Sequence, residues 1–284
     1  MRFLFSPLAF ASALVISGLV AGADAASVWK VTNPNGGTLY LGGSIHALRS
    51  TDYPLPSAYN RAFDASTRLA FEADPEELRS LGKSFLKSGQ YPKGDSLKNH
   101  VDPRTYDYLR RFFGLLKIPE EKFAKLRPWF LAALLQAPQL HGLSPDLGVE
   151  GFLARRARAN SKPISGLESS REGIEIFSGL TDRQSEALLL LTFIPVEQGA
   201  PRMGQAWRQG DADSLTRLVM DSFHDFPSLG ERIVRARNRN WIPKIEGYLR
   251  SGRTYFVVVG AGHMGGRDGL LSLLRARGFQ IEQL

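Results

Sequence analysis

The sequence predicts an α/β fold: a mixed, partly parallel central sheet flanked by helices, with a large helical insertion at residues 75–160. Three observations predict it. Runs of β-forming residues lie towards both ends of the chain, at 27–32, 38–43, 67–74 and 254–260. From about residue 95 to 160 apolar residues recur at helical spacing, as in Phe123, Leu126, Phe130 and Leu134. The chain closes strand–helix–strand, the connection that parallel strands require.

Each element follows from local chemistry. SVWKVT (27–32) and TLYLGG (38–43) flank Asn33-Pro34-Asn35-Gly36-Gly37, which reads as a hairpin. After Pro54 and Pro56, SAYNRAFDAS (57–66) reads as a helix, and TRLAFEAD (67–74) as a strand. Asp74 as N-cap and Pro75 at the first helical position start the next helix. SKPISGLE (161–168) reads as a short strand, and further helices run to about residue 250. TYFVVVG (254–260), a helix over LLSLLRARG and a last strand FQIEQL complete the chain. Low-complexity linkers are lacking, so residues 26–284 read as a single α/β domain.

Residues 1–25 read as a cleavable signal peptide: Arg2, an uncharged apolar stretch, then Ala23-Asp24-Ala25. The expected location is therefore periplasmic or secreted, with an uncleaved membrane anchor as the alternative. The absence of cysteine leaves no disulfide framework and no thiolate ligand or nucleophile. The net charge of +8 is spread along the chain, which suits loose association with an anionic membrane surface. No helix-turn-helix, zinc-finger or RNP pattern occurs, so no nucleic acid partner is expected.

Gly260, Gly262 and Gly265 match G-x-G-x-x-G between a strand and a helix. The chain ends too soon after Glu282 to supply the strands of a mononucleotide-binding half, which argues against NAD or FAD. A second reading fits better. Gly43-Ser44-Ile45-His46 and Gly260-Ala261-Gly262-His263 are two copies of a β-run ending in G-x-x-H. Each histidine then stands at the carboxyl end of a strand, the edge where open α/β sheets bind ligands. His100, His141 and His224 lack that context and read as solvated or satisfied groups.

Glu72 ends an apolar strand and is the first candidate to share that edge. Arg237 lies in an apolar helical stripe with Ile233, Trp241, Ile245 and Tyr248, so it needs an internal acid or a bound anion. Arg232, Arg235 and Arg239 point elsewhere and read as solvated. Glu168 ends a short strand and is a candidate for that acid; Asn238 is a candidate amide ligand. No G-x-S-x-G elbow and no H-E-x-x-H helix occurs.

Several blocks together resemble the TraB/GumN family, relatives of the Tiki metalloproteases. The blocks are TLYLGGSIHALRSTDYPLPSAYNRAFDASTRLAFEAD, KPISGLES, ERIVRARNRNW and the closing YFVVVGAGHMGGRDGLLSLLRARGFQIEQL. They appear in family order across almost all of the chain after residue 25. Met264 departs from the leucine expected there, a mild change of packing residue. The resemblance implies a fold like that of the erythromycin esterase and ChaN groups. It also implies a hydrolase site of His46, Glu72, Arg237 and His263, with Asn238 and Glu168 as neighbours. A divalent metal (manganese, cobalt or zinc) on His46, Glu72 and His263 is expected from the same source, with a peptide or envelope-associated substrate. Two other readings accompany it: a metal-independent esterase, and a non-catalytic binding protein for haem, a peptide or a polysaccharide precursor.

Overall fold

The computed structural model describes residues 25–34, 36–136, 142–194 and 200–284, with the side chains of 200 and 201 excepted. The leader read at 1–25 lies outside them apart from Ala25, and so does His141. Among the described residues no helix is long and apolar enough to cross a membrane.

Six strands form one mixed sheet: β1 (Val28–Thr32), β2 (Thr38–Ser44), β3 (Arg68–Phe71), β4 (Ile164–Gly166), β5 (Tyr255–Gly260) and β6 (Gln280–Gln283). Their spatial order is β4-β3-β5-β2-β1-β6. The hairpin β1–β2 is antiparallel, as the Asn-Gly-rich turn predicts, and β6 adds antiparallel to β1. The other contacts, β2–β5, β5–β3 and β3–β4, are parallel. The expected α/β architecture is therefore present, with strands 67–74 and 161–168 shorter than read. Glu72 becomes the first residue beyond β3, and Glu168 lies two beyond β4.

Strand alternation divides the core into two layers. Phe256 and Val258 of β5 pack with Leu69, Phe71, Tyr59, Phe63 and Trp207 on one face. Val257 and Val259 pack with Leu39, Leu41, Trp241, Ile245 and Leu271 on the other. A third core lies outside the sheet, around Phe113, Phe123, Trp129, Phe130 and Leu189. It belongs to helices after β3, Pro103–Leu115 and Pro128–Leu135, joined by Asp182–Leu191 from beyond β4. Helix Val149–Ala159, inside the stretch read as an insertion, packs on the sheet instead through Leu153, Ala154 and Ala157. Its apolar positions face β-strand side chains, so it works as a sheet-covering helix.

The Asp74 side chain accepts from the Glu76 N–H and Pro75 opens the helix Pro75–Ser80, as the capping signal predicts. Three residues separate the end of β3 from this helix, which keeps Glu72 between a ladder and a cap.

Candidate active site at the strand ends

Parallel register brings four strand termini within two residues of one another. Ser44 pairs with Gly260 across β2–β5, Phe71 with Val258 across β3–β5, and Phe71 with Gly166 across β3–β4. The residues just beyond these ends are His46, Glu72, Glu168 and His263, all four named from the sequence. Carboxyl ends of parallel strands are where such sheets bind ligands. Backbone bonds continue past the strands to fix them: Glu168 N–H donates to the Glu72 carbonyl at 2.9 Å, and Val149 N–H to the Ile45 carbonyl at 3.1 Å.

Glycine serves these ends by leaving room. Gly43 is still within β2, and a Cβ there would lie 3.2 Å from both Ala261 Cα and Ser27 Cβ. Gly260 has φ −47°, open to any residue, but a Cβ would lie 3.1 Å from His46 Nε2, 3.2 Å from Glu72 Oε1 and 3.5 Å from His263 Cδ2. Both histidines and the glutamate thus surround one small volume beside Gly260.

Arg237 enters from helix Ala236–Arg250 and joins the two carboxylates. Its Nη2 donates to Glu72 Oε2 at 2.5 Å and to Glu168 Oε1 at 2.6 Å, and its Nε to Glu168 Oε2 at 3.1 Å. Its guanidinium lies over the Trp241 ring, 4.6 Å from the centroid, and Trp241 Nε1 donates to Glu168 Oε2. Arg237 therefore has the internal acid that burial demanded, and also reaches the site: its Nη1 lies 3.5 Å from His263 Nε2. Arg232, Arg235 and Arg239 are not merely solvated. Arg232 donates to the Ile176 and Glu175 carbonyls, Arg235 pairs with Asp268, and Arg239 pairs with Glu231.

Asn238 corrects another expectation. It stands behind His263, where the reading from sequence had it as an amide ligand. Its Nδ2 donates to the carbonyls of His263 (3.2 Å) and Asp268 (2.8 Å), so its Oδ1 faces His263 Nδ1 at 2.7 Å. Two carbonyls fix the amide's orientation, and an acceptor facing Nδ1 requires the proton to be on Nδ1. His263 Nε2 is left with its lone pair towards Glu72 Oε1, 3.8 Å away. Burial disfavours the charged ring and Arg237 and His46 add to this against Glu72, so its pKa falls to about 4.

His46 has the opposite bias. Its Nδ1 lies 2.8 Å from Glu150 Oε1, and the Ser44 hydroxyl donates to the same oxygen. The Glu150 charge, opposed by partial desolvation within the cavity, raises the imidazole pKa to about 9. The side chain remains 68% exposed because it stands in an open cavity. Glu72 experiences burial, which alone would raise its pKa. Arg237, both histidines and the Gly260 N–H at 2.8 Å outweigh it and hold the carboxyl well below the usual range.

Glu150 and Ser44 are site residues that the sequence reading missed. Glu150 sits in the first turn of Val149–Ala159, where an acid reads as a helix-dipole charge. The available cue was its flanking glycines: a Cβ on Gly148 would run into the His46 carbonyl. Glu150 Oε2 is buried without a hydrogen-bond partner. Of the other histidines, His100 is satisfied by Asp95 and Asp182 at 2.8 and 2.9 Å, and His224 is exposed.

The strand ends floor a cavity of about 910 Å³. Leu78, Phe85, Phe177, Met203, Val219 and Phe223 line it, and so do the charged Arg79, Asp146, Arg155 and Arg158. The donor set, two imidazoles and a carboxylate, is suited in kind to a divalent cation. Among the described residues no three His, Cys, Asp or Glu side chains already stand in an arrangement that holds a metal ion.

A family description for TraB/PrgY/gumN proteins matches residues 27–283. No curated protein and no solved structure matches the chain.

Proposed function

This chain belongs to the TraB/PrgY/gumN family, and from that premise we propose that it is an exported hydrolase acting on peptide bonds, with a divalent metal held by His46, Glu72 and His263. One observation carries the reading. Both imidazoles have Nδ1 tethered by an acceptor, Glu150 Oε1 for His46 and Asn238 Oδ1 for His263. Metal-ligating histidines are oriented in this way by a second hydrogen bond. It leaves both rings beside Gly260 together with Glu72 Oε1. When bound there, a divalent metal would polarise a scissile carbonyl and lower the pKa of a bound water.

The protein's own groups have separate tasks. Arg237 keeps Glu72 ionised and aligned, and Glu168 keeps Arg237 in place. Its Nη1 contributes positive charge beside the reacting space, where an oxyanion develops. The apolar walls exclude water from the substrate's flanks. The signal-like residues 1–25 support export to the periplasm or beyond.

The test is metal content by mass spectrometry on protein purified without chelator or affinity metal, beside a His46→Ala/His263→Ala double variant. About one equivalent lost in the variant, with cleavage in a peptide library restored by manganese, cobalt or zinc, is the expected result. Absence of metal after soaking in all three would remove this reading.

A specific observation favours a second, metal-independent reading. The two imidazoles are pushed apart in pKa, to about 9 and about 4, the signature of an acid and a base in one site. His263 Nε2 would take a proton from water and His46 would give one to the leaving group. Full turnover of an ester or peptide after exhaustive chelation would select this reading over the first.

A further inference from the structure

We propose that a second cavity, on the far side of Asn238 from the strand ends, binds a small phosphomonoester through Arg217, Arg267 and Ser272. The inference is independent of the hydrolase reading. This cavity shares only Val234 with the one over the strand ends, and Asn238 lines it but not the other.

The cavity measures about 470 Å³. One wall is the turn that follows His263, Gly265-Gly266-Arg267-Asp268-Gly269. Helix Ala212–Asp221 supplies Asp213, Thr216 and Arg217, and the segment Glu231–Arg235 supplies Arg235. The turn is seated by its glycines. A Cβ on Gly265 would run into the Ala212 carbonyl, and one on Gly269 into the Gly265 carbonyl. Gly266 has φ +74°, where a side chain is strained. Gly265 N–H donates to Thr216 Oγ1 at 2.9 Å and Gly266 N–H to Asp213 Oδ1 at 2.7 Å. Thr216 in turn donates to the Gly262 carbonyl. The last glycine of the G-x-G-x-x-G match therefore serves to dock this turn on the helix, and the docked turn carries Arg267 to the cavity.

Donors without partners outnumber acceptors there. The charged side chains lining the cavity are Arg217, Arg235 and Arg267, against Asp213 and Asp268. Both carboxylates already hold a donor: Asp213 has the Gly266 N–H, and Asp268 has Arg235 Nε at 3.5 Å. Arg217 and Arg267 make no hydrogen bond or ion pair among the described residues, and the Ser272 hydroxyl makes no hydrogen bond. Asp211, in an adjoining groove, feels the Arg217 charge without forming an ion pair with it. Two free guanidinium groups and a hydroxyl suit a ligand with several charged oxygens. A phosphomonoester brings three such oxygens and about two negative charges, whereas a carboxylate brings two and one. Met220 and Val234 leave an apolar side for the organic group.

The experiment is calorimetric titration of the protein with phenyl phosphate and with benzoate at constant ionic strength. It is run on wild type, on Arg217→Gln/Arg267→Gln, and on Arg155→Gln/Arg158→Gln, which removes two cations of the strand-end cavity instead. Phenyl phosphate should bind wild type saturably, about tenfold more tightly than benzoate. The Arg217/Arg267 variant should bind it about tenfold more weakly, with an unchanged melting temperature, and the Arg155/Arg158 variant should bind as wild type does. Non-saturable uptake, equal affinity for benzoate, or a loss confined to the Arg155/Arg158 variant would overturn the inference. Vesicles of phosphatidylcholine with and without phosphatidate separate the two sources of the group. Phenyl phosphate binding upholds the site, as a lipid-headgroup site if phosphatidate vesicles bind through the same arginines and as a site for a soluble ester if they do not. Vesicle binding without phenyl phosphate binding would overturn it.

Discussion

Asn238 and His263 are locked face to face: the amide oxygen meets Nδ1 at 2.7 Å, and the amide nitrogen is held by two carbonyls. That contact puts a proton on Nδ1, and burial with Arg237 and His46 keeps the ring neutral. In metal-free protein, nitrogen NMR should show that tautomer at pH 7 and protonation only near pH 4. A ring that titrates near 6.5 would refute the assignment. Because the folded pKa is depressed, the unfolded chain binds more protons between those values. Stability from this group is full above about 6.5 and falls as the pH drops towards 4. Asn238→Ala should leave that dependence in place, since burial, Arg237 and His46 cause it, and cost about 2 kcal/mol in urea unfolding, since buried partners lose their bonds.

Arg237 neutralises two carboxylates at once, and its side chain is only 12% exposed. Arg237→Ala leaves Glu72 and Glu168 buried and unpaired, at a cost of roughly 3–5 kcal/mol in chemical denaturation. Arg237→Lys should recover only part of this, because an ammonium lacks the fork that serves Nε and Nη2 bonds together.

Gly260→Ala puts a methyl where His46, Glu72 and His263 meet. Backbone strain is not involved, since φ is −47°. The variant should fold, with stability lowered by about 1 kcal/mol, and should lose metal uptake and turnover. Wild-type metal stoichiometry in this variant would show that the reacting volume is elsewhere.

His100 bridges Asp95 and Asp182 and stacks on Tyr91, whose ring also faces Arg127. Burial lowers its pKa, but both carboxylates raise it further, and the net shift is upward. Its stabilising effect is therefore complete below about pH 6.5 and lost as the pH rises through the folded value. His100→Gln should be destabilising at pH 5.5 and much less so at pH 9, as measured by paired urea titrations. An equal effect at both pH values would contradict the bridge.

Much of the site was legible because strand ends leave marks in sequence. Runs of β-forming residues stop at Gly43 and Gly260, and an apolar run stops at Glu72, so the backbone alone brings those residues to one edge of the sheet. Arg237 was legible as a charge within an apolar helical stripe. Glu150 was not, because its role depends on a helix terminus docking against the Ile45 carbonyl, a contact with no local periodicity. Asn238 was read with the wrong role, since one helical step from Arg237 turns its side chain behind His263. The helical insertion was legible as helix but not as packing: the spacing of Leu153, Ala154 and Ala157 is the same whether a helix covers a sheet or another helix.

The adjoining strand ends also govern when the site can come apart. Glu72, His46 and His263 are set by ladders that run through the central strands, and Gly260 N–H is itself bonded to the Glu72 carboxylate. Within the sheet these side chains are joined by continuous ladders. In hydrogen-exchange terms, the Gly260 amide should be among the slowest to exchange, opening only with the sheet. The reacting groups would then disperse in the same event that unfolds the core, and no half-assembled site would persist short of it.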